Sequence, residues 1–246
     1  MKRLPTAVLA TCLASVIALL AVPAVSQQTQ TQTLALGNFE WEVAANGILV
    51  TAPHGTFDRN TAAIAVEAAK HLRAGYVVAR GFNPGVRINV SRPTEGSGLT
   101  CNREQQTGRA HEVYLEYDRL VALASGVTPQ RLYIEVHGNG RAETSGNVEI
   151  ASKGISADEA TAVKAAFPAV LNIVRMEWPS YPALQLLIEP VDRVYWTASC
   201  AKRIGTMASD KVPRVLHFEF PVAAREETMI RGAGLLVARM VERMVR

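Results

Sequence analysis

The chain is poor in cysteine, with three in 246 residues, too few for a disulfide-dense scaffold. It has no run of lysines and arginines, so nothing in it calls for a nucleic-acid partner. It lacks a Gly-x-Ser-x-Gly sequence, which argues against an esterase built on a serine elbow. No internal repeat is present, and no second linker follows the early polar stretch. The one long apolar run is confined to residues 7–20.

That run follows Lys2 and Arg3 and is followed by Ala24, Val25 and Ser26, small residues at the positions a signal peptidase reads. It is interrupted by Thr11, Cys12 and Ser15 and is short against the ~20 apolar residues a membrane span needs. The expectation is a cleaved signal over 1–26, a periplasmic or secreted mature protein, and no stable membrane anchor. Cleavage would remove Lys2 and Arg3 and no acid, so the formal charge would fall from +4 to +2. Two cysteines would remain, Cys101 and Cys200, and one disulfide between them is expected. Closing a loop of about 100 residues stabilises by up to ~4–5 kcal/mol in the chain-entropy picture. The polar repeat QQTQTQT opens an expected flexible leader over 27–38, and 39–246 reads as a single domain.

Elements alternate along that domain. Apolar runs predict strands at 48–52, 76–79, 131–136, 184–188 and 214–220. Helical spacing predicts helices at 62–73, 105–124, 157–175 and 229–245, the first capped by Asp58 or Asn60. The Gly-, Pro- and Ser-rich segment 82–98 predicts a loop with a short extended piece at 87–90. The fold class is therefore α/β, a mixed, mostly parallel central sheet flanked by helices. In such sheets, sites form beyond the carboxyl ends of the strands.

Three predicted strands run into ionisable side chains at those ends. ILVTAPHG delivers His54, LYIEVHGNG delivers Glu135 and His137, and VLHFEFP delivers His217 and Glu219. Burying such groups is costly unless something pairs with them. A divalent metal would, and two imidazoles with one carboxylate are a common zinc set. His54, Asp58 and His137 fit that stoichiometry, with Glu135 as an alternative acidic ligand or a support behind His137. Gly55 and Gly138 follow the two histidines and leave room for the chain to turn away. His217 shares a strand face with Glu219 and is either a support or a packed residue. RINVSRPTEG places Arg87, Asn89 and Arg92 in the Gly/Pro-rich loop, and guanidinium forks suit a substrate carboxylate.

Taken in order, APHGTFD, RINVSRP, IEVHGNG and HFEFP resemble the N-formylglutamate amidohydrolase family, which is related to the zinc carboxypeptidases. The resemblance spans about His54 to Glu219. It implies a zinc carboxypeptidase-type fold and a Zn2+ ion held by His54, Asp58 and His137. It implies Glu219 as general base, Arg87 as the group that polarises the scissile carbonyl, and Asn89 with Arg92 as a clamp for the substrate carboxylate. The implied reaction is hydrolysis of an amide bond in an N-acyl amino acid or short peptide with a free carboxylate. This sequence departs from the family pattern in its Asn-Val-Ser-Arg clamp, in HGNG, and in an Asp four residues after the first histidine. A non-catalytic periplasmic ligand-binding domain on the same fold is the rival reading.

Overall fold

The structure is a computed structural model that describes residues 28–82, 87–96 and 100–245. The expected signal at 1–26 lies outside the described residues.

The order of elements is β1 (Gln30–Leu34), β2 (Gly37–Glu42), β3 (Ile48–Ala52), α1 (Thr61–Leu72), β4 (Gly75–Arg80), β5 (Thr94–Glu95), β6 (Gln105–Gln106), α2 (Gly108–Ser125), β7 (Leu132–Gly138), β8 (Asn147–Lys153), α3 (Ala157–Glu177), β9 (Gln185–Ile188), β10 (Val215–Phe220) and α4 (Ile230–Met244). Eight strands form one sheet in the order β1-β2-β4-β3-β7-β10-β8-β9, while β5 and β6 pair as a small separate ribbon. The four central strands β4, β3, β7 and β10 run parallel. β2 and β8 add to them antiparallel, giving the mixed, mostly parallel sheet that the alternation of elements predicts.

Helices cover both faces. The alanine-rich side of α1 packs with α3 and α4 against Val50, Ile134, Leu216 and Phe218. α2 covers the other face through Val113, Tyr117, Leu120 and Val121, against Leu49, Val77, Tyr133 and Val215. Both layers are apolar and shut from water, as a sheet buried on two faces requires. α3 starts on a capping box, in which Ser156 accepts from the Glu159 N–H while the Glu159 side chain returns to the Ser156 N–H. Among the described residues no helix is long and apolar enough to cross a membrane.

Three expectations are corrected. Residues 30–34 form an edge strand against β2 in place of part of the flexible leader at 27–38, because Phe39 at the centre of β2 is a fully buried core residue that draws the hairpin onto the sheet. α1 is not capped by a side chain: Asn60 stands at its N-cap with φ 69° and no side-chain cap bond, and Asp58 instead faces the histidines. The strand β8 was not among those predicted. Its polar Glu149 interrupts an apolar run, yet it is buried because the Tyr195 and Trp196 N–H groups donate to it, at 3.0 and 3.1 Å.

Candidate metal centre

Strand adjacency builds the site. β3, β7 and β10 are parallel neighbours, so their carboxyl ends lie side by side. Residues two apart on a strand share a face. On the α2 face, β7 therefore presents Tyr133, Glu135 and His137 in succession, and β10 presents Val215, His217 and Glu219. The register sets His217 opposite Glu135 and Glu219 opposite His137. The lower layer is apolar core and the upper layers are ionisable.

The upper layer meets the turn after β3. Asp58 Oδ2 lies 3.2 Å from His137 Nδ1 and 3.4 Å from His54 Nδ1. It also accepts from the Gly138 N–H at 3.3 Å. The ligand atoms of His54, Asp58 and His137 all fall within 4.8 Å of one another. His54 and His137 meet edge to face, with ring centroids 4.8 Å apart. Two imidazole nitrogens and a carboxylate oxygen converging on one point match the donor set that holds a divalent cation. Two buried atoms nearby, His54 Nε2 and Glu219 Oε2, have no partner among the described residues. The residues present thus fit a metal ion.

Behind His137 stands a second, fully buried layer. Glu135 Oε2 lies 3.1 Å from His137 Nε2 and 3.0 Å from His217 Nδ1. Its other oxygen accepts from Tyr133 Oη at 2.7 Å, and Tyr133 in turn bonds Tyr117 Oη at 2.8 Å. His217 Nε2 reaches Glu219 Oε1 at 3.2 Å. Glu135, His137 and His217 also fall within metal-binding distance of one another. The contacts there are of the same kind, one carboxylate oxygen between two ring nitrogens, but all three residues of this second set are buried, whereas His54 in the first is partly exposed. Glu135 lies on the Nε2 side of His137 and Asp58 on the Nδ1 side, so the two carboxylates occupy different places.

The electrostatics follow from this packing. Burial favours neutral forms, but the charges oppose it and win. Burial would push His137 down, yet its bonds to Asp58 and Glu135 raise it to about 10. Burial would raise Asp58 and Glu135, yet His137 and His54 hold Asp58 well below the carboxylate range, and His137 and His217 do the same for Glu135. The same two carboxylates that favour a proton on His137 would favour a metal ion beside it.

The residues of the expected substrate clamp are engaged within their own loop. Arg92 forks onto Glu104, from Nε at 2.9 Å and from Nη2 at 2.6 Å. Its Nη2 also donates to Asn89 Oδ1 at 3.0 Å, and Asn89 Nδ2 donates to Thr94 Oγ1 at 2.8 Å. Asn89 is fully buried, and the Glu104 side chain is 3% exposed. Through Nε and Nη2 of Arg92, these residues fasten their own loop, and breaking that pairing would leave Glu104 unpaired where its side chain is buried. Arg87 differs: it is exposed and lies over the Phe57 ring, 3.7 Å from its centroid, beside the turn that carries His54 and Asp58.

One central residue escaped the sequence reading. The Arg225 guanidinium donates to three main-chain carbonyls: Phe220 at 3.2 Å, Arg59 at 2.8 Å and Asn139 at 3.1 Å. Each of those carbonyls lies one or two residues after Glu219, Asp58 or His137. One side chain thus ties together the exits of all three motifs. The glycine after His137 has its reason here. A Cβ at Gly138 would strike the Arg225 side chain, so close approach and not a left-handed turn requires glycine. At Gly55 a Cβ would likewise collide with the Ala79 carbonyl and the Ala62 side chain. Only Gly138 pointed toward Arg225 in the sequence, and it did not say which residue it made room for. The expected disulfide is present between Cys101 and Cys200, with Cα atoms 5.3 Å apart.

No protein-family model matches the chain, and no curated protein does. Its fold is similar to that of solved structures. One is the structure of a bacteriophage poly-gamma-glutamate hydrolase, 8% identical with a TM-score of 0.49, covering 86% of this chain and 91% of that one. Another is a metallo-carboxypeptidase from Burkholderia cenocepacia, 12% identical with a TM-score of 0.44, covering 87% of this chain and 64% of that one.

Proposed function

We propose that this chain is a zinc-dependent hydrolase that cleaves an amide or peptide bond in a small carboxylate-bearing substrate, an N-acyl amino acid or a short peptide. The observation that carries the reading is the meeting of His54 Nδ1 and His137 Nδ1 on one oxygen of Asp58. The motif resemblance to the N-formylglutamate amidohydrolases supports the same reaction class.

In this reading His54, Asp58 and His137 hold Zn2+, whose preference for imidazole and carboxylate matches them. When bound, the ion acidifies water and polarises a carbonyl oxygen. Glu219 Oε2, buried and without a partner among the described residues, takes the proton from the attacking water and returns it to the leaving nitrogen. His217 holds the other Glu219 oxygen and so aims the free one. Glu135 holds His137 from behind, turning Nδ1 toward Asp58. Such outer partners commonly govern metal affinity by 10–100-fold. Arg87, at the mouth on Phe57, donates to the carbonyl oxygen of the substrate. The N-terminal signal pattern and the disulfide support a periplasmic or secreted site of action.

The test is a hydrolysis screen of N-acyl amino acids and short peptides with zinc-loaded protein, alongside Glu219→Gln. Glu219→Gln should keep its zinc and lose at least ~100-fold in turnover, within the usual range for a general base. Full turnover in Glu219→Gln contradicts the reading, and so does an inactive wild type that binds zinc.

A further inference from the structure

We infer that Asn139, Arg141 and Trp196 form the subsite that grips a carboxylate of the substrate beside Glu219. The inference rests on the hydrolase reading above and adds an anion grip on the Glu219 side of the site.

The starting observation is a set of unmatched donors. Asn139 Nδ2, Arg141 Nε and Trp196 Nε1 are shut from water and have no hydrogen-bond partner among the described residues. Each such loss costs about 1–3 kcal/mol, so three on neighbouring loops is a large standing penalty. Asn139 is 4% exposed, and its orientation is fixed. Its Oδ1 accepts from Thr144 Oγ1 at 2.7 Å and from the Arg141 N–H at 3.4 Å, which leaves the NH2 group as the unused end.

The loops are joined to one another and to the candidate site. Asn139 follows Gly138 directly, and its N–H donates to Phe220 O, next to Glu219. The Arg141 guanidinium lies 4.1 Å from the centroid of the Tyr195 ring. The Tyr195 and Trp196 N–H groups donate to Glu149, and Glu149 stands opposite Glu219 in the β8–β10 register. The chain of contacts therefore starts at His137 and ends beside Glu219. Tyr195 is 52% exposed and its ring lies against the Arg141 guanidinium; in this inference that exposed ring turns aside when the ligand enters.

The chemistry of the three groups selects the ligand. An indole N–H and a guanidinium only donate, and the amide presents its donor end. A hydroxyl or an amide would bring donors of its own to this lining. An ionised carboxylate accepts only, and Arg141 supplies the opposite charge. Among the described residues, Arg141 otherwise has a loose, exposed pairing with Glu143 at 3.5 Å.

The test follows the indole N–H resonance of Trp196 in protein labelled with 15N-tryptophan, assigned by Trp196→Phe. The probes are N-acetylalanine and its C-terminal amide, added to zinc-loaded and to chelator-treated protein. N-acetylalanine should shift the resonance saturably in both forms and the amide should not. Arg141→Ala, at a half-exposed position, should weaken the response at least tenfold while zinc content stays at the wild-type level. An unmoved resonance overturns the inference, as does an equal response to the amide or an undiminished response in Arg141→Ala. Saturable binding without any hydrolysis counts against the hydrolase reading alone, because this subsite is then present in a chain that does not turn over.

Discussion

Arg225 lies against Gly138 so closely that a single added methyl group there would overlap its side chain. The contact explains how three distant motifs stay in register. The guanidinium passes through the space the glycine leaves and holds the carbonyls that follow Asp58, His137 and Glu219.

Gly138→Ala and Arg225→Ala should therefore each destabilise, by about 2–4 kcal/mol, since charged hydrogen bonds and unpaired carbonyls are worth ~1.5–3 kcal/mol each. The two should not add, because both break one contact. A double-mutant cycle on thermal or urea unfolding reads the coupling. Full additivity would show that the two side chains act separately.

Arg92→Ala should cost stability and leave substrate recognition intact. It strands Glu104 without a cation in the interior, where breaking a pair costs about 3–5 kcal/mol. The folded fraction should keep the wild-type KM for a carboxylate substrate. A large rise in KM at unchanged stability would return Arg92 to the binding site.

The metal-free protein should have a pH profile that the loaded protein lacks. His137 is raised from 6.5 to about 10 in the fold despite its burial, through Asp58 and Glu135. A raised value stabilises fully below the unfolded pKa and is lost as pH climbs through the folded one. The melting temperature of chelator-treated protein should thus fall progressively between pH 6.5 and about 10. Ordinary alkaline lability would lower both forms alike. A flat profile in the metal-free form would mean that His137 carries no proton there.

Reducing the Cys101–Cys200 bond, or Cys101→Ser, should lower stability by up to ~4–5 kcal/mol, the entropy of a loop of about 100 residues. Chemical denaturation with and without reductant measures it. Unchanged stability would show that the unfolded chain is not constrained by the bridge.

Much of this architecture is legible in the chain itself. Apolar runs ending on His54, His137 and Glu219 mark parallel strands whose carboxyl ends carry charge, because only there does a buried segment open onto a crevice. What stays hidden is pairing across long separations. Arg92 and Arg87 look alike as loop arginines, and only the fold shows that the first pairs with buried Glu104 while the second lies over the Phe57 ring. Arg225 looks like any arginine after a Pro-terminated strand, since main-chain carbonyls leave no mark in a sequence. β8 is masked by Glu149, a charge that is buried only because two backbone N–H groups from a distant loop reach it. Phe39, one aromatic in a polar N-terminal stretch, is enough to turn an expected leader into an edge hairpin.

The central claim is that His54, Asp58 and His137 hold one zinc ion. Its most direct test is the metal content of chelator-stripped protein reconstituted with zinc and dialysed, for the wild type and for His137→Ala. The account predicts about one zinc per wild-type chain, as a single site of this donor set binds, and none in the folded variant. Equal zinc in both, or none in either, contradicts it.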